Sequence, residues 1–242
     1  MDTARHLDWD GCWNARDLGG IRSSDGQEIA RNAVVRSDHL HLLTPTGWSA
    51  VQAHGIRTVV DLRSTWEIQA AVQRPPAGIS TVYVPLEDGL AADPEFADWV
   101  SSGLFATPLY YRPFLHRWPD RCAAAVAAVG RAGPGGVVVH CSKGCDRTGM
   151  VIMFILATCG VSPEDIVADY ELTIQRLQTP LARKLGRQDD THVIQELLRR
   201  HGCPSVRSAL MNTLAEVDVL THLRAGGLSD ADVVAVRQRL LA

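Results

Sequence analysis

Val139-His140-Cys141-Ser142-Lys143-Gly144-Cys145-Asp146-Arg147-Thr148-Gly149 is the stretch that decides how this chain folds. Five residues separate the cysteine of His140-Cys141 from Arg147. Upstream, Gly136-Val137-Val138-Val139 is a β-branched run entered from a glycine pair, the pattern of a short buried strand. Downstream, Gly149 to Ala157 is almost wholly apolar. That run is too long and too rich in Met and Leu for a strand, so it predicts a buried helix with Gly160 at its C-terminal end. The expected order is strand, tight loop, helix.

Such a loop aims its N–H groups and a helix N-terminus at one point, which suits an anion. Arg147 adds a planar fork of donors matched to two oxygens of a phosphoryl group. Cys141 stands at the base of the cradle. A free thiol is only a few per cent ionised near neutral pH, and helix N-termini and cations lower its pKa. The chemistry that uses these parts is attack of a thiolate on a phosphate ester, giving a cysteinyl-phosphate that water hydrolyses. In that scheme Ser142, Lys143, Gly144, Cys145, Asp146, Arg147 and Thr148 surround the phosphate. Gly144 permits close backbone approach, and Thr148 hydrogen-bonds the sulfur. His140 either holds the nucleophile's backbone and helps stabilise the thiolate or simply ends the strand. The plain alternative is a buried structural cysteine beside a helix-capping arginine; the flanking His, Gly and Thr-Gly speak against it.

Outward from the loop, Val34-Val35-Arg36 and Ile56-Arg57-Thr58-Val59-Val60-Asp61-Leu62 predict strands, as does Thr81 to Leu86. The second ends in Asp61-Leu62-Arg63, charged groups at a strand's carboxyl end, where open α/β sheets place their sites. Thr44-Pro45 starts a helix that Gly55 stops. A short helix is expected over residues 64–71. Residues 87–108 are polar and broken, with a helix over about Glu95–Val100. Helices are also expected from Ser162-Pro163 onward, over 179–186, 190–201 and 206–223, and from Ser229 to Leu241. Trp118-Pro119-Asp120 resembles the mobile general-acid tripeptide of eukaryotic tyrosine phosphatases but opens a helix whose face is Cys122, Ala125, Val126 and Val129. Asp120 then serves the helix dipole and needs no catalytic role.

The loop resembles the signature of cysteine-dependent protein tyrosine phosphatases, and in the form Cys-x-x-Gly-x-Asp-Arg-Thr-Gly it resembles the bacterial tyrosine/dual-specificity group. Trp13-Asn14-Ala15-Arg16-Asp17 is similar to that group's Asn-x-Arg-Asp motif. Arg36-Ser37-Asp38, the strand at 55–64 and Val167-Ala168-Asp169-Tyr170 also fit, so the similarity runs from about residue 8 to 242. The group usually carries lysine where this chain has Cys145, with its lysine moved to Lys143. The loop is also similar to that of myotubularin lipid phosphatases.

The resemblance implies a single phosphatase domain over 1–242. Its fold would be α/β, a central mostly parallel sheet flanked by helices, with extra C-terminal helices as cover. Residues 87–108 and about 176–205 are candidate lid elements. It also brings Asp61 and Arg63 near the phosphate, where their plain reading is an ion pair closing the strand. Asn14, Arg16 and Asp17 are read as supporting residues that tie the entry turn and buttress the loop. A leaving alkoxide needs a proton donor. Asp146 is the first choice, Asp61 the second, with Asp88 and Asp93 on the lid behind; alternatively, Asp146 only braces the loop. Lys143 either adds charge over the mouth or is solvated, and Cys145 is either inert or traps oxidised Cys141 as a disulfide.

At 242 residues the chain can bury a sizeable core, and a net charge of -3 does not suit a nucleic-acid binder. Its six cysteines lack a secreted-scaffold spacing, which fits reduced thiols in the cytoplasm. No apolar run approaches a membrane span, no metal site or cofactor is expected, and oligomeric state is not legible. Three functions compete: a protein-tyrosine phosphatase (with serine/threonine activity), a phosphoinositide phosphatase of the same mechanism, and a catalytically silent phospho-ligand binder. Retention of Cys141, Arg147 and Thr148 together weighs against silence.

Overall fold

In a computed structural model, which describes residues 5–70, 74–186 and 189–241, five strands make one mixed sheet. They are β1 (Arg16–Asp17), β2 (Val34–Ser37), β3 (Ile56–Asp61), β4 (Ser80–Tyr83) and β5 (Gly136–His140), in the order β1-β2-β5-β3-β4. Only β1 runs antiparallel to its neighbour. Among the described residues twelve helices follow in chain order. The first six are α1 (Pro45–Ala53), α2 (Thr65–Gln69), α3 (Pro94–Ser101), α4 (Tyr111–Arg117), α5 (Pro119–Gly130) and α6 (Asp146–Thr158). The rest are α7 (Pro163–Leu177), α8 (Pro180–Lys184), α9 (Thr191–Arg200), α10 (Val206–Glu216), α11 (Val219–Ala225) and α12 (Asp230–Leu240).

β5 lies between β2 and β3 and is buried on both faces, which is why its core is an uninterrupted valine run rather than an alternation. Val138 joins Val35 and Val59 in the core beneath α1. Val137 and Val139 face the opposite way with Val34 and Val60, into the larger core built on α4–α7 and α10–α12. α6 is buried from Thr148 to Leu156, so its sequence carries no polar face. Ser37, His140 and Asp61 stand in register at the carboxyl ends of three adjacent parallel strands. The loops that leave those ends converge.

The architecture agrees with the sequence expectation, with differences in detail. The two-residue β1 lies within the segment read as an entry turn. β4 stops at Tyr83; Pro85 has no N–H to continue a ladder, although Val84 still donates to Asp61 O at 2.9 Å. The helix expected over 206–223 is two helices, because Asp218 accepts from Thr221 N at 3.0 Å and restarts the chain. α4 was not anticipated. The expected end of the 64–71 helix falls on Ala71, outside the described residues, and the lid segment 176–205 likewise includes two such residues. In the candidate lid, α3 lies between 3-10 turns at Leu90–Ala92 and Leu104–Ala106, and α9 meets the second of these. No helix among the described residues is long and apolar enough to cross a membrane.

Candidate active site

Cys141 leaves the end of β5, and Asp146-Arg147-Thr148 forms the first turn of α6, so the loop between them closes in four residues. Gly144 makes this closure possible. Its φ is +68°, and a Cβ there would sit 2.5 Å from the Ser37 carbonyl oxygen. The glycine is thus demanded by the packing of the loop on β2, a reason different from the ligand approach expected. His39 N donates to Ser142 O at 3.1 Å from the neighbouring loop.

Cys141 is 2% exposed, and it lies within electrostatic reach of the Arg147 guanidinium. Arg147 itself is held end-on by Glu67, with Nη1 to Oε2 at 2.5 Å and Nη2 to Oε1 at 3.0 Å, and Glu87 Oε2 lies 3.4 Å from Nη1. Burial opposes this charge, but the Glu67 hydrogen bond and the nearby Cys141, Glu87 and Glu67 charges raise the Arg147 pKa, so the guanidinium stays charged. Glu67 is also the capping-box residue of α2, accepting from Ser64 N at 2.9 Å. Loss of surrounding water pushes the Asp146 carboxyl up to about 6 against the pull of Lys143 and Arg147, and pushes Glu87 up to about 7. Although Asp146 keeps some exposed surface, its carboxyl is enclosed by protein. Thr148 is wholly buried, and its hydroxyl has no hydrogen-bond partner among the described residues.

Asp61 occupies a different position. Its oxygens accept from Arg63 Nε at 3.0 Å and Nη2 at 2.8 Å, and His140 Nε2 lies 3.6 Å from Oδ2. Burial raises its carboxyl, but His140 and Arg63 outweigh that and hold it below the ordinary value. Val59 and Asp61 point to the α1 face of the sheet, as His140 does, away from the face that Cys141 shares with Val139 and α6. Burial depresses the His140 pKa, and its Nδ1 lies 3.1 Å from the Cys141 carbonyl oxygen.

The back of the loop rests on a buried cluster. Asn14 Nδ2 donates to Lys143 O and Gly144 O, both at 3.2 Å, and Arg16 Nη1 holds the Asn14 oxygen at 2.9 Å. Arg36 Nη2 donates to Gly144 O at 2.9 Å. Arg5, Arg16 and Arg36 all pair with Asp169 of α7, at 3.0, 3.1 and 2.8 Å. Burial alone would raise the Asp169 carboxyl, yet the three guanidinium groups hold it far below its usual range. Burial and Arg36 pull Arg16 down to about 10. Asp17 instead anchors the entry turn, accepting from Gly19 N and Asn32 N at 2.8 Å.

At the mouth, Lys143 Nζ pairs with Asp190 Oδ2 at 2.5 Å, just ahead of α9. Ser142 is half-buried beside it. Cys145 packs among Trp13, Leu177 and Ala182, and burial drives its thiol pKa well up. Asp88 holds Thr65 N at 2.9 Å, and Asp93 caps α3 while pairing with Arg117 at 2.7 Å. Asp120 is exposed in the first turn of α5. All six cysteines are free thiols, and no group of potential ligands among the described residues could hold a metal ion.

The sequence reading missed Glu67 and Glu87, the two carboxylates beside Arg147, and the arginine partners of Asp169. Ser64-x-x-Glu67 was a visible capping signal, but nothing local ties Glu67 to Arg147, eighty residues away. Burial of Arg36 and Glu87 leaves no mark in composition.

Residues 7–242 match the tyrosine phosphatase family. A Cupriavidus necator protein with the provisional name tyrosine-protein phosphatase is 32% identical, over 75% of this chain and 70% of its own. The triple specificity protein phosphatase PtpB of Mycobacterium tuberculosis is 26% identical, over 96% of this chain and 97% of its own.

Proposed function

From a chain that belongs to the tyrosine phosphatase family, and is therefore a phosphatase, we propose hydrolysis of phosphotyrosine in proteins, with phosphoserine and phosphothreonine as further substrates, through a cysteinyl-phosphate. Cys141, as thiolate, attacks phosphorus; the bond to the leaving oxygen breaks, and Asp146 protonates that oxygen. Water then attacks the cysteinyl-phosphate, Asp146 takes its proton, and the electron pair of the S–P bond returns to sulfur. Arg147 and the loop N–H groups hold the phosphoryl oxygens throughout. Ser142, Gly144, Cys145 and Thr148 line that cradle, and Asn14, Arg16 and His140 support it. Neither step calls for a metal or cofactor.

One observation carries the assignment of the acid. Asp146 is next to Arg147, at the start of α6, with a carboxyl pushed up to about 6, so a useful fraction is protonated near neutral pH. Asp61 is a poor donor by the same logic, since Arg63 and His140 favour its ionised form. With Arg63 it makes the ion pair that closes β3. We assign lid roles to 87–108 and 176–205, with Lys143–Asp190 as the clasp between loop and α9. The free thiols fit a reducing, cytoplasmic setting.

Phosphoinositide hydrolysis by the same steps is the second reading, favoured by Lys143, whose ammonium group stands partly exposed at the mouth where a further headgroup phosphate would lie. Metal-free turnover of an aryl phosphate, phosphotyrosine and phosphoserine peptides and a phosphoinositide, by wild type and Cys141→Ser, separates the readings. Preference for the lipid would promote the second. Phosphate binding without turnover of any substrate would refute the mechanism.

A further inference from the structure

Glu87 and Tyr110 bring two unused polar groups to the catalytic cup. Glu87 Oε1 and the Tyr110 hydroxyl are buried with no hydrogen-bond partner among the described residues. Tyr110 is 0% exposed, and the Glu87 side chain is 10% exposed. Leaving such an atom unpaired costs about 1–3 kcal/mol, so a native protein usually meets such atoms with a ligand or ordered water. Their location identifies the ligand. The other Glu87 oxygen is 3.4 Å from Arg147 Nη1, and the Tyr110 hydroxyl lies within electrostatic reach of Glu87, Asp146, Arg147 and Cys141.

We propose that Glu87, carrying a proton, and Tyr110 are further catalytic residues, whose O–H groups donate to phosphoryl oxygens within the cup. The proposal rests on the phosphatase reading of the loop and extends it to a second wall, contributed by the segment between β4 and α4. The donor argument is simple. Phosphoryl oxygens of a dianion only accept, and so does a carboxylate, so a carboxyl that faces a bound dianion must keep its proton. The surroundings of Glu87 push the same way: burial does most to oppose its ionisation, Glu67, Asp146 and Asp88 add to it, and together they outweigh the opposing pull of Arg147. A bound phosphate brings further negative charge and strengthens the preference. Ionised, Glu87 would repel substrate and compete with it for Arg147.

Sulfate has no proton to lose in the relevant range and serves as the probe. Its affinity is measured by calorimetry on wild type, Glu87→Gln and Tyr110→Phe, from about pH 5.5 to about pH 8. Wild type should lose about tenfold more affinity across this range than Glu87→Gln, which cannot ionise. Tyr110→Phe should bind about tenfold more weakly at every pH, as loss of one donor to an anion implies. Equal pH dependence in wild type and Glu87→Gln would overturn the role of Glu87, and undiminished binding by Tyr110→Phe that of Tyr110. Both substitutions preserve shape, and thermal melting verifies that each variant is folded. Turnover by wild type is scored separately, so failure of the mechanism is not confused with failure of this wall.

Discussion

At Asp146, the acid proposed above, the proposed chemistry and stability pull in opposite directions. Its folded-state pKa, about 6, exceeds that of an exposed aspartate, so the folded protein binds this proton more tightly than the unfolded chain does. The associated stability is full at acid pH and is lost as pH rises through about 6. Asp146→Asn should therefore gain on the order of 2 kcal/mol relative to wild type above that range, read from denaturant unfolding at several pH values. The same variant should lose about 10²- to 10⁴-fold in kcat on alkyl phosphates and much less on nitrophenyl phosphate, whose leaving group needs no proton. Equal losses on both esters would remove Asp146 as the acid. Glu67→Gln tests the neighbouring contact: with its bidentate partner weakened, Arg147 should be less well aimed, and kcat/KM should fall about 10- to 100-fold. A change confined to stability would show that Glu67 only caps α2.

At the level of elements, the loop is clamped between β2 and α7 rather than supported by its own residues. Gly144→Ala must relieve a contact with the Ser37 backbone and adopt a positive φ, a strain of about 1–3 kcal/mol. Reduced activity together with a lowered melting temperature is the expected pair of readouts. Asp169→Asn is the harsher test. It leaves Arg5, Arg16 and Arg36 buried without their shared carboxylate, which should cost about 3–5 kcal/mol. Because Asp169 titrates far below its usual range, its contribution is present above the ordinary aspartate pKa and fades only as the solution becomes strongly acidic. A variant as stable as wild type in urea would mean that the cluster is not the brace described here.

For the molecule as a whole, the expected motion is of the segments over the mouth. If 94–101 and 191–200 form a lid, amide exchange there should slow when sulfate occupies the loop, while the β2-β5-β3 core is unaffected. Unchanged exchange would leave these helices as fixed cover. Lys143→Ala should cost less than about 1 kcal/mol, since its pair with Asp190 is solvent-exposed. Any effect on KM then reports the clasp itself.

The valine run of β5, the apolar length of α6 and the Cys-x5-Arg spacing specify strand, loop and helix by local periodicity and chain geometry, so the strand-loop-helix order and the α/β class were legible beforehand; the nucleophile and anion cradle proposed here were read from that same spacing. Helix starts at Thr44-Pro45, Ser162-Pro163 and Ser229 were equally plain, because a capping side chain acts within three residues of itself. What the tertiary structure alone decided is pairing at long range: Glu67 and Glu87 on Arg147, three arginines on Asp169, Asp61 committed to Arg63, Gly144 pressed on Ser37. These depend on which strand ends lie side by side and on how far water is excluded between them, and neither quantity is encoded in any short window of sequence.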